Sequence, residues 1–391
     1  MRPTRLYAST LYFLYYAAMG TLYPFLNLYY QRVGLSGSQI GLLAAVPAIV
    51  NFFAASVWSA LADRLGFHRG LLTLMLLGAT VAGFAFSLTA RFLPLLAIAI
   101  LFAVFIGPLM PLMDSAALEI AKREGTEFGH LRMWGTVGWI LSSWAFGYLV
   151  DYHLRYLFFG FAGLMALTTA VSLFQPRRDW AWERPVWEGF RQLLGRPGVV
   201  PFLLSAFLLW ASSNGGTQFL SLYLSDIGAS GSLIGAAWAV AAISEVPMLF
   251  FSGWWLQKLG YRGFLFLGYL IYAARWFGFS VNQVPGLALP LQLLQGFSFT
   301  AFLVGGVTLM GSVAPRGLEA TAQALFSGFA MGMGGFAGSL LAGYLYETQG
   351  IARFYLMEGG IALVAALILI LFCRQCPDVA TANPGERESD L

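Results

Sequence analysis

The sequence predicts an all-α membrane protein: twelve transmembrane helices in two related six-helix bundles, with both chain ends on the cytoplasmic side. Composition, the spacing of apolar runs and an internal repeat lead to this fold class. Of 391 residues, 59% are hydrophobic, 16% aromatic and only 10% charged. A soluble domain carries roughly 25% charged residues, so a bilayer is the solvent that suits this balance. The net charge of +4 is spread between apolar runs, which does not point to nucleic acid.

A spanning helix needs about 20 mostly apolar residues. Breaking the chain at its charged and Gly/Pro-rich punctuation gives spans at 6–30, 38–61, 71–89, 93–118, 131–150, 156–175, 199–224, 232–256, 264–281, 286–313, 319–346 and 354–373. The first follows "MRPTR" and exceeds the roughly 7–15 apolar residues of a signal peptide, so it is expected to be retained. Pro108 and Pro111 in the fourth span and Pro247 in the eighth read as kinks. In the eleventh, "GMGGFAG" at 332–338 follows no strand; Gly334 and Gly338 read as small packing residues rather than a nucleotide loop. No P-loop is present to suggest ATP-driven transport. The last span ends at Cys373 and Cys376, which lack the neighbouring ligands of a four-ligand metal site and read as incidental.

Seventeen of the 22 Lys and Arg residues fall at the chain ends or beside alternate loops. Only Arg32, Arg91, Arg155 and Arg353 lie in the opposite set, with Arg275 inside a span. The positive-inside rule assigns the larger set to the cytoplasm. The halves are related: "LNLYYQRVGLSGSQIG" at 26–41 aligns with "LSLYLSDIGASGSLIG" at 220–235 at an offset of 194, with nine identities in sixteen. "GYLVD" at 147–151 is likewise echoed by "GYLYE" at 343–347. The expected organisation is a first bundle over 1–175, an amphipathic cytoplasmic linker over 176–198, a second bundle over 199–373 and a polar tail over 374–391. Paired parallel repeats are a common plan for transporters, with the solute site at their interface near the midplane.

These features resemble the major facilitator superfamily, whose loop after the second helix is echoed by "ADRLGFHRG" at 62–70. Asp63, Arg64, Gly66 and Arg69 fit that loop pattern, while Ser59 stands where Gly is usual. The resemblance makes Asp63, Arg64 and Arg69 a candidate cytoplasmic gate, and their charges suit clamping helix ends. The alternative is charge that only sets topology.

Intramembrane charges cost about 2.5–3.5 kcal/mol on insertion scales and usually face the bundle interior. Those that stand out are Asp114, Arg132, Glu245 and Arg275. Gly260 marks a hairpin tip, with Glu245 fifteen residues before it and Arg275 fifteen after, each about 22 Å along its helix. They are therefore expected to meet, and so are Asp114 and Arg132, nine residues either side of Arg123. A purely structural ion pair is the bland reading of each. Arg132 and Trp139, seven apart, share a helix face. A guanidinium fork, a flat ring and the Asp114 acceptor suit a pyranose or ribose.

"EFGHLRMWGTVGWILSSWAFGYL" at 127–149 closely resembles the fifth-helix region of the lactose permease group, which includes nucleoside and phenylpropionate permeases. "MGTLYPFLNLYY" at 19–30 resembles that group's first helix. The resemblance implies that Asp114, Arg132 and Trp139 hold a solute and that Arg275 matches the ninth-helix arginine. It departs at the tenth helix, where Gln295 and Ser298 replace a His and a proton-binding Glu. His68, His130 and His153 are all expected in loops, so proton coupling falls to Glu245 or Asp114. Asn51, the repeat counterpart of Glu245, is a further candidate for solute contact, with Asn214, Gln218 and Gln295. Asn27, Gln292 and Gln323 could also complete a cavity, a helix–helix hydrogen bond being at least as good a reading for each.

The expected activity is proton symport of a small hydroxylated solute, sugar or nucleoside, by a monomer in the cell inner membrane. No enzyme activity, metal, cofactor or nucleic acid partner is expected; the partners are solute, protons and lipid, with the proton gradient as driver. Uptake of an aromatic acid, a drug/H⁺ antiporter with an apolar pocket, and a transporter-like sensor are the alternatives.

Overall fold

The computed structural model describes residues 3–65, 68–174, 187–315 and 318–372, with backbone only through much of 52–69. The side chains of Asp63, Arg64 and Arg69 lie outside the described set, as do residues 176–186 of the linker, Cys373, Cys376 and the tail. No strand occurs among the described residues. The first half runs α1 (Pro3–Arg32), α2 (Gly37–Leu65), α3 (His68–Ala85), α4 (Phe92–Ile106), α5 (Leu109–Glu124), α6 (Phe128–Tyr152) and α7 (Tyr156–Ser172). A short α8 (Trp187–Leu194) leads to α9 (Val199–Gln218), α10 (Leu220–Asp226), α11 (Gly231–Phe250), α12 (Ser252–Val281) and α13 (Ala288–Val313). The chain ends in α14 (Glu319–Leu325), a π-helical turn at Phe326–Met333, α15 (Gly334–Gln349) and α16 (Ile351–Phe372).

Among the described residues, eight stretches are long and apolar enough to cross a membrane, including Phe92–Glu124, Gly231–Phe250 and Ile351–Leu371. The other long helices, such as α1 and α6, are diluted by tyrosines, glycines and polar side chains. The helices break where the backbone is weakened. The fourth span splits at Gly107–Pro108, since Pro108 has no N–H to continue the ladder. Gly260 alone leaves helical geometry within α12, at φ 64° and ψ 166°. That is a glycine conformation, and it forms the hairpin tip the sequence placed there. Two histidines fall differently from expectation: His68 opens α3 and His130 sits in the first turn of α6. Each is at a helix end, where apolar periodicity gives no signal.

The halves meet along two seams, α2 against α15 and α6 against α11. These join the segments that the repeat singled out, crosswise. A side chain on Gly41 would start 2.6 Å from the Ser339 carbonyl, and one on Gly235 only 2.2 Å from the Ser143 carbonyl. At one end of the seams Asp151 accepts the Gly231 N–H at 2.6 Å and the Ser232 N–H at 3.3 Å. Glu347 accepts the Ser38 N–H at 2.8 Å in the matching position of the other seam. Each repeat thus ends a helix in a carboxylate that caps a helix start of the other half, where N–H groups are free and the dipole favours negative charge. Gln31 adds bonds to Asp226 (2.9 Å) and Tyr346 (2.8 Å).

Candidate functional site

A cavity of about 230 Å³ lies between the halves, lined by Tyr16, Trp139, Trp238, Glu245, Arg275, Gln292 and Gln295 among others. Its walls come from α1 and α6 on one side and α9, α11, α12 and α13 on the other. Trp139 stands 6.1 Å from Trp238, centroid to centroid, the planes tilted by 59°. Trp238 is held by its Nε1–H, which donates to Ser221 at 2.9 Å, and Ser221 in turn donates to the Pro24 carbonyl of α1. Two indole rings therefore offer apolar faces inside a pocket otherwise edged by amides and charges.

The polar wall corrects one expectation. Arg275 does not reach Glu245. Its guanidinium donates to the side-chain oxygens of Gln292 and Gln295, both on α13, and rests 4.4 Å over the Trp276 ring. Gln295 then donates its amide N–H to Glu245 at 3.4 Å, while Gln292 donates to the Ala237 carbonyl at 3.2 Å. Equal depth along a hairpin fixes height, not azimuth, and α13 packs between the facing surfaces of α11 and α12. A primary amide suits that place because it accepts from a cation on one edge and donates to an anion on the other. Arg275 is 1% exposed and Gln292 also 1%, so the relay is dry behind its cavity face.

Asp114 and Arg132 do meet, at 3.0 Å. Asp114 also accepts from Tyr12 at 2.5 Å, and Arg132 lies 5.8 Å over the Tyr16 ring. This pair is not in the cavity lining. Tyr16 stands between, one face toward Arg132 and one edge in the cavity. Seven residues of helix put Trp139 about 10 Å from Arg132, which separates two groups expected to hold one ring.

Several amide candidates fall elsewhere. Asn214 accepts from Ser339 at 2.8 Å, a bond between α9 and α15. Gln323 donates to the Val307 carbonyl at 2.8 Å. Gln218 and Asn51 line a second, smaller cavity of about 50 Å³ toward the capped end. There Asn27 donates to the Gln218 side chain at 3.1 Å and to its carbonyl at 2.8 Å, while Asn51 keeps a buried oxygen unpartnered. Spacing put these residues on interior faces, but an interior face of a bundle looks at neighbouring helices as often as at solute.

Two residues escaped the sequence reading. Trp238 carried no signal beyond being aromatic in an apolar run. Glu358, in "YLMEGGIALV", sits close enough to the start of the last span to read as an end charge, yet it is 1% exposed.

Comparison with known proteins places the chain. It is 28% identical over 368 residues to the maltose permease of Geobacillus stearothermophilus, covering 93% of each chain. It is 26% identical over 368 residues to the probable 3-phenylpropionic acid transporter of Escherichia coli K12, covering 92% of this chain and 95% of that one. The crystal structure of the nucleoside transporter NupG superposes with a TM-score of 0.86 at 18% identity, over 95% of this chain and 99% of that one. The sequence profile of the MFS_1 like family matches residues 6–357. The chain belongs to the MFS_1 like family, within the major facilitator superfamily of membrane transporters.

Proposed function

We propose that this protein is a proton-coupled symporter of a small hydroxylated solute, a sugar or nucleoside, crossing the inner membrane twelve times with both ends cytoplasmic. The observation that carries the reading is the cavity between the halves, whose lining combines two indole rings with the Glu245–Gln295–Arg275–Gln292 relay. A sugar ring has an apolar face and hydroxyl edges, and this pocket offers a partner for each. Relatives named as maltose, melibiose and raffinose permeases support the solute class. The charge bias puts the capped ends of the seams outside, so the structure is shut toward the exterior.

The relay gives the coupling. With Glu245 ionised, Gln295 donates to it and accepts from Arg275. A proton on Glu245 removes the negative charge that holds the Gln295 N–H, so the amide is freed to turn and its oxygen to leave Arg275. The guanidinium is then free to give bonds to solute hydroxyls. Proton and solute thus favour the same arrangement, which is the differential affinity that coupling requires.

Purified protein in liposomes tests cargo and direction together. Labelled maltose, uridine and 3-phenylpropionate are offered with and without an inside-alkaline pH gradient. Accumulation of maltose or uridine only with the gradient is expected. Gradient-driven 3-phenylpropionate uptake alone would transfer the role of Arg275 to a carboxylate. Failure of all three, with expulsion of a lipophilic cation, would overturn symport.

A further inference from the structure

Glu358 is the charged-type side chain that the central cavity does not explain. It lies seven residues into α16, about 10 Å from that helix's start. Among the described residues neither carboxyl oxygen has a hydrogen bond of ordinary geometry, the Ser212 hydroxyl being the polar group beside it. Its backbone carbonyl accepts from Ser212 at 2.8 Å, and Tyr355, one turn earlier, donates to the Gly216 carbonyl at 2.9 Å. These bonds pin α16 to α9 on either side of the carboxyl. The carboxyl itself fills the place where Gly215 has no side chain. A Cβ there would lie 2.8 Å from Glu358 Oε1 and 3.0 Å from the Gly338 carbonyl of α15.

Among the described residues no cation answers it. Helix α16 packs on α9, α12 and α15. Helix α9 has no titratable residue. From α12, Arg275 is committed to Gln292 and Gln295, leaving Tyr269 and Tyr272 as the other titratable groups at that level. On α15, Tyr346 is bonded to Asp226 and Glu347 to Ser38, both at the capped end; Tyr344 is exposed. On α16 itself Arg353 is exposed and Tyr355 is bonded to Gly216. An ionised carboxylate without partner in such surroundings costs more than the fold can offset, so the group stays neutral instead.

The position gives that proton a task. Helix α15 carries the outer seam, through Gly343 against Gly37 and Glu347 on Ser38, and α9 ends at the Asn27–Gln218 contact. Glu358 lies behind both, with its oxygen at their junction. We propose that Glu358 is a proton-binding site exchanging with the outer aqueous phase, and that the outer seam closes only on the protonated form. Opening the seam shifts α15 against α9, admits water beside Gly215 and lets the proton leave outward; closure requires that it return. This proton goes back to the side it came from and adds nothing to the transport stoichiometry. The inference rests on the alternating-access reading but not on the identity of the solute or on Glu245 as carrier.

The test needs no substrate. Spin labels on Arg91→Cys and Val284→Cys, both exposed positions on the outer loops of opposite halves, report seam opening in a background lacking Cys373 and Cys376. Glu245→Gln is included throughout, which removes the acid of the central cavity. The open population is expected to rise several-fold from acid to alkaline pH. Adding Glu358→Gln, which imitates the neutral acid, is expected to hold the seam shut at every pH. An unchanged pH response in Glu358→Gln would overturn the proposal. If that variant does not fold, the infrared carbonyl band of a protonated carboxyl decides in protein bearing Glu245→Gln alone. The band must be present at acid pH and fade as the seam opens; its absence would overturn the proposal equally.

Discussion

Gln295 carries more of the chemistry than any charged residue beside it, because Arg275 and Glu245 both depend on its amide. Gln295→Leu leaves one Arg275 N–H without an acceptor in a buried place, costing about 1–3 kcal/mol. A thermal melt in detergent should show the loss as a drop in midpoint, and gradient-driven uptake should disappear with it. Trp139→Ala removes one of the two ring faces and should weaken solute binding by about 1 kcal/mol, or several-fold in Kd. Trp139→Phe should recover most of it by calorimetry. At this scale the sequence was partly legible. Isolated charges in apolar runs pointed to Glu245, Arg275, Asp114 and Arg132. Their partners were not legible, since the neutral amide that links two charges looks like any other polar residue on an interior face. Glu358 was missed because sequence position measures distance from a span's end, not burial.

Helices here are joined by glycines and capped by carboxylates. Gly235 lies against the Ser143 carbonyl in the α6–α11 seam, leaving no room for a side chain. Gly235→Val must push these helices apart at their outer end, a strain of about 1–3 kcal/mol. The distance between labels on Arg91→Cys and Val284→Cys should lengthen in this variant. Replacing Asp151 and Glu347 together by Asn and Gln removes the charge from both caps and should move the same distance the same way, by loosening rather than wedging. The repeat made these segments visible, since 26–41 and 220–235 resemble each other and so do 147–151 and 343–347. Their crosswise docking was not visible, because a repeat shows which segments are equivalent and not which ones touch. The π-helical turn at Phe326–Met333 was equally hidden; nothing in its composition distinguishes it from the α-helix around it.

At the scale of the whole molecule the fold was the most legible part, because a bilayer imposes length and apolarity on every crossing segment. The described chain is helical without strands, eight of its stretches are long and apolar enough to cross a membrane, and the backbone leaves helical geometry at the expected tip, Gly260. Under the proposed alternating access, two halves joined at one end around a ringed and charged cavity are one of two states. A second state open to the other side is needed for it to work. The proposed carrier of the proton that drives this cycle is Glu245. Uptake of the accepted sugar or nucleoside into liposomes, with an inside-alkaline gradient, measures it directly in the native protein and in Glu245→Gln. The variant is expected to exchange labelled solute across the membrane at equilibrium but no longer to accumulate it. Accumulation in Glu245→Gln equal to that of the native protein would contradict it.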